Sequence, residues 1–99
     1  MKTSDPTTPA HDSIDATLEE RGSRYGKFVD HARVTQELKR TIFSNMSTNS
    51  LADDQAEALE MIAHKIGRII AGNPAEPDHW RDIAGYAQLV ANRLEGGNG

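Results

Sequence analysis

LADDQAEALEMIAHKIGRIIAGNP, residues 51–74, is the stretch that decides the fold class. At about 100° per residue, Leu59, Ile62, Ala63, Ile66, Ile69 and Ile70 share one face, while Glu57, Glu60, His64 and Arg68 share the other. That period belongs to an amphipathic helix, because a half-buried strand would alternate at every second residue. Ser50 with Asp53 three residues later has the form of a capping box. Gly72, Asn73 and Pro74 end the run, since glycine accepts a left-handed cap and proline cannot continue the ladder. The spacing predicts a helix from about residue 51 to Ala71.

The same pattern repeats on both sides. Between Phe28 and Phe43, Phe28, Ala32, Leu38, Ile42 and Phe43 lie on one arc, with Asp30, Arg33, Glu37 and Arg40 opposite. IDATLEERG, residues 14–22, reads as a short helix with Ser13 as N-cap and Gly22 as its stop, and SRYG as a turn after it. Residues 44–50 form a polar connector. The last helix starts near Pro77 or Asp78 and stops at Gly96 and Gly97, with Trp80, Ile83, Ala84, Ala87, Val90, Ala91 and Leu94 as its core face. No window alternates strongly enough for a strand. The expectation is an all-α bundle: three main helices plus a short N-terminal one, forming a single domain over residues 14–95 with flexible tails at 1–13 and 96–99. A chain of 99 residues buries a modest share of its surface, so oligomerisation is expected to complete the bundle.

Composition narrows the function. The chain has no cysteine, which excludes disulfides and thiolate metal sites. Met1 precedes a polar stretch, and no apolar run reaches membrane-spanning length, which together predict a cytoplasmic protein without a membrane partner. A net charge of −4 argues against a nucleic-acid partner. Arg21, Arg24 and Lys27 around Tyr25 nevertheless form a basic cluster that suits a nucleotide phosphate, or else solvated loop charge.

Two acidic pairs carry the remaining chemistry. Glu57 and Glu60 lie at i, i+3, and Asp78 and Asp82 at i, i+4, so each pair occupies one side of a helix. If the polar faces meet across a cleft or an oligomer, four carboxylates could hold Mg²⁺ against substrate phosphates. Lys65 and Arg68 would then contact phosphate, and Tyr86 a base or sugar. In a simple bundle the same acids face water, and Glu60, His64 and Arg68 form an ordinary i, i+4 ladder. Gly85 sits opposite the apolar stripe of its own helix, where glycine costs about 1 kcal/mol relative to alanine. With Leu89 one turn on, it marks a candidate oligomer interface.

RGSRYG (21–26), KIGRIIAGNP (65–74) and DHWRDIAGYAQLV (78–90), in that order, resemble a family of small proteins of tailed phages. The matching positions are Tyr25, Gly26, Lys65, Arg68, Gly72, Asp78, Asp82, Gly85 and Tyr86. More distantly, the pattern is similar to the MazG-like all-α nucleotide pyrophosphohydrolases, in which acids from two helices hold Mg²⁺ against a nucleoside triphosphate. Glu57 and Glu60 match part of that motif, whereas Ala56 replaces the preceding acid and Asp78 and Asp82 stand one residue too far apart. The resemblance implies a phage-type accessory protein that binds a nucleotide with Mg²⁺, with or without hydrolysing it. The alternative is a non-enzymatic oligomer, an inhibitor or nucleotide-sequestering decoy acting against a host protein or system.

Overall fold

The computed structural model describes residues 14–22, 26–45 and 50–97, so the predicted tail over 1–13 lies outside the described residues. Four helices and no strand occur among the described residues: α1 (14–22), α2 (Phe28–Ser44), α3 (Asp53–Ala71) and α4 (Pro77–Leu94). The all-α expectation holds. No described helix is long and apolar enough to cross a membrane.

Local chemistry sets the helix ends. α3 begins at Asp53 rather than 51, because the Gln55 side-chain oxygen accepts the Ala52 N–H at 2.8 Å; Ser50 is not its cap. Asp53 and Asp54 in the first turn and Arg68 in the last complement the helix dipole. Gly72 has φ −129°, so the left-handed cap expected there does not form. The Asn73 side chain accepts the Ala75 N–H at 3.0 Å and turns the chain into α4 instead. α4 opens as predicted, with Pro77 in the first turn and the Glu76 carboxylate accepting from the Asp78 N–H. Gly96, at φ 95°, follows the last turn of α4.

α3 is the middle of the molecule. α2 and α4 both pack against it, and they make no contact with one another among the described residues. Both neighbours run antiparallel to α3: Lys39 of α2 meets Glu60 while His31 and Thr35 lie at Gly67, and Arg93 of α4 meets Asp54 while Asp82 meets Lys65. Projected down α3, Glu60 and Gly67 point nearly opposite to Asp54, Ala58 and Lys65. The helices therefore form a small open bundle centred on α3, with α2 and α4 on nearly opposite sides of it.

The consequence corrects the expected core. Of the apolar stripes predicted to be interior, only Ala63 is buried, joined by Ala58. Ile70, Trp80 and Leu94 are 64%, 55% and 59% exposed. The buried positions at the seams are instead small or polar: His31, Thr35, Lys65, Gly67 and His79. An open bundle leaves an amphipathic face uncovered, so the apolar stripes lie over the open side of α3 and α4.

Candidate functional site

Two glycines build the best-formed polar site. Gly26, at φ 85°, lies so close to Ala71 that any side chain would strike that residue's carbonyl, and its N–H bonds Gly22 O at 2.9 Å. This brings the end of α1 and the start of α2 against the last turn of α3. Gly67 does the same work between helices, since a Cβ there would meet the Thr35 hydroxyl and stand 2.8 Å from the His31 carbonyl. Only glycine lets α2 approach this closely, and His31 is thereby placed beside His64 and Arg68.

The resulting cleft, of about 530 Å³, is lined by Arg21, Lys27, Arg68 and His31, with Leu18 and Phe28 as apolar walls. Among the described residues no carboxylate lines it, although acids outnumber bases 15 to 11 in the chain. Phe28 is 76% exposed and stands edge-on to His31 with ring centroids 5.3 Å apart; His31 in turn meets His64 edge-on at 5.8 Å.

Burial first, and then Arg68, sets the electrostatics of the histidines. Burial lowers the pKa of His31, and the Arg68 charge lowers it further, against a small opposing effect of Asp30. His64 is pushed down to about 4, by burial first and then by Arg68, Lys65, His31 and Lys39. His79, only 1% exposed, is lowered by burial and again by Arg68. Three imidazoles from three helices thus stay neutral at pH 7 around Arg68. Among the described residues no carboxylate lines the cleft itself to repel an oxyanion, and arginine offers planar, paired donors to phosphate.

The sequence-predicted residues fall partly inside this site and partly elsewhere. Arg68 lines the cleft, as do Arg21 and Lys27 of the basic cluster; Tyr25 lies outside the described residues. Lys65 does not reach the cleft, because it is buried in the α3–α4 seam with Nζ 2.9 Å from Asp82 Oδ2. That hydrogen bond holds the Asp82 carboxyl below its usual range. Tyr86 lines a separate groove of about 440 Å³ with Glu57, Leu89 and Arg93. Glu60 pairs with Lys39 at 3.5 Å and Asp78 with Arg81 at 3.3 Å. Glu57, Glu60, Asp78 and Asp82 are therefore engaged in different places, and no three His, Asp or Glu residues among the described ones are grouped to hold a metal ion. Gly85 is exposed with open space where a side chain would stand, and Leu89 is 49% exposed beside it.

Phe28 and His31 escaped sequence reasoning, since Phe28 reads as a core position and His31 as an isolated histidine. The available signal was their i, i+3 spacing directly after the basic cluster, which puts an aromatic and an imidazole on one turn.

Neither the curated proteins nor the solved structures contain a match to this chain. The family model described as "Domain of unknown function (DUF6378)" matches residues 11–94, a span that takes in α1 to α4 and the whole cleft, and the chain belongs to that family.

Proposed function

We propose that this protein binds a nucleotide by its phosphates in the cleft between α1, α2 and α3, as a phage-type accessory module that sequesters its ligand. The observation that carries this reading is the convergence of Arg21, Lys27 and Arg68 on one cleft, with no carboxylate among its described lining residues, in a chain of net charge −4. An exposed Phe28 ring at the same cleft offers a stacking face for a base. The MazG-like resemblance points to the same ligand class. Binding is favoured over hydrolysis because no described residue lining the cleft is a carboxylate base and His31 and His64 have depressed proton affinity. Magnesium would arrive on the nucleotide's own phosphates.

Calorimetric titration with nucleoside mono-, di- and triphosphates, and with inorganic pyrophosphate, tests the reading. Affinity should rise with phosphate number and fall with salt. Lys27→Gln, at an exposed position before α2, should weaken triphosphate binding about tenfold, equivalent to about 1.4 kcal/mol. Tyr86→Ala should leave it unchanged. No heat with any of these ligands, or equal loss in both variants, overturns the assignment.

A second reading concerns assembly: the chain self-associates. It is supported by the large exposed residues Ile70, Trp80, Leu89 and Leu94. As a non-enzymatic oligomer it could act on a host protein, and Gly85 with Leu89 is one surface for such contacts.

A further inference from the structure

We propose that the open apolar side of α3 and α4 is the seat of a second copy of this chain, so that the folded unit is a homodimer with the cationic clefts outside its interface. This rests on the self-association reading and names its surface. It does not depend on nucleotide binding.

The seams within the chain are polar. α3 joins α2 through Gly67, Thr35 and the Lys39–Glu60 pair, and it joins α4 through the Lys65–Asp82 pair and a two-pronged Arg93–Asp54 contact with N–O distances of 2.6 and 2.7 Å. The intrachain contacts thus consume polar and small side chains. They leave over a shallow groove of about 400 Å³ lined by Leu51, Leu59, Ile62, Ala87 and Leu94, in which Gln55 is the single polar side chain and no residue is charged. On α3, Ile66 continues the same stripe one turn beyond Ile62.

Area decides whether this face is large enough. A helix rises about 1.5 Å per residue, so the 19 residues of α3 give a face about 29 Å long. Helices pack about 8–10 Å apart, which makes the α3–α4 face about 20 Å wide and about 600 Å². Two such faces together bury about 1,200 Å², the lower end of what a specific, stable interface buries. A foreign partner would be selected by charge or by a socket, and this face offers neither. The need for a cover is also constant, because Ala58 and Ala63 are the only buried apolar side chains among the described residues. A second copy brings the identical face, and a two-fold axis lets each stripe cover the other.

Sedimentation equilibrium and site-directed cross-linking test this on the full chain. Wild type should sediment as a dimer at micromolar concentration. Ile62→Asp should shift it to monomer with at least a hundredfold weaker association, whereas Gly85→Arg, on the other side, should not. Because Ile62→Asp could also fail to fold, single cysteines in this cysteine-free chain supply an independent readout. Leu59→Cys should be linked into dimers by a short bismaleimide, and Gln88→Cys should not. A wild-type monomer overturns self-association altogether. A dimer dissociated by Gly85→Arg, or linked through Gln88→Cys and not Leu59→Cys, overturns this face while leaving self-association standing.

Discussion

Replacing Gly67 by leucine is expected to abolish the folded state, and Gly67→Ala to destabilise it by about 1–3 kcal/mol, as overpacking at a tight seam does. The added Cβ would meet the Thr35 hydroxyl, which a rotamer change relieves, and would also stand 2.8 Å from the His31 carbonyl, which is backbone inside α2 and cannot turn away. α2 would have to leave α3, and with it His31 and Phe28 would leave the cleft. Gly85 gives the opposite result. Nothing lies within 4 Å of a Cβ placed there, so Gly85→Ala should raise stability by about 0.5–1 kcal/mol through helix propensity alone. Urea unfolding of the two alanine variants checks both signs, and a Gly85→Ala protein less stable than wild type would mean that Gly85 packs against another chain.

Lowering the pH should destabilise the protein well before its carboxylates titrate. His64 has a folded pKa of about 4 against an ordinary value of 6.5, because burial and then the Arg68, Lys65, His31 and Lys39 charges disfavour its protonated form. The unfolded chain therefore binds more protons between those two values, and stability falls as pH drops through that window. A one-unit shift is worth about 1.4 kcal/mol, so His64 alone should remove about 2 kcal/mol by pH 5. His31 and His79, displaced in the same direction by burial and Arg68, add to the loss. Asp54 and Asp82 act at the acid end: their folded pKa values lie below 3.8 because Arg93 and Lys65 donate to them, so their stabilisation persists until the pH falls below the ordinary carboxylate range. Denaturation midpoints measured from pH 7.5 to 4.5 should decline for wild type and flatten for His64→Gln. A midpoint independent of pH over that interval would contradict the lowered pKa values of the three imidazoles.

The helices were legible because their apolar period is strong, and Pro77 and the Gly96 stop mark α4 clearly. What covers each face was not legible. Periodicity shows that Leu59, Ile62 and Ile66 share a side, but it cannot show whether another helix of the same chain reaches that side. α2 is drawn to the far edge of α3 by the Gly67 notch, and α4 is drawn to the near edge by Asp54 and Lys65, so polar residues that read as solvent-facing became the seams. The same displacement scattered the four acids: Glu60 went to Lys39, Asp82 to Lys65 and Asp78 to Arg81. The basic half of the site was readable from Arg21, Lys27 and Arg68. His31 became visible as a site residue only once Gly67 had set the helix spacing. Gly85, which the sequence made conspicuous, is open, whereas Gly67, hidden within an apolar run, holds the structure together.

Phosphates are expected to bind in the cleft where Arg21, Lys27 and Arg68 converge on His31, with His64 edge-on to His31, and imidazole NMR reads that place directly. With inorganic pyrophosphate as the probe, the side-chain resonances of His31 and His64 should move along one saturable curve. Their pKa values should climb from the depressed starting range as the ligand's negative charge offsets Arg68. Imidazole resonances and pKa values that stay fixed at saturating pyrophosphate would contradict the account.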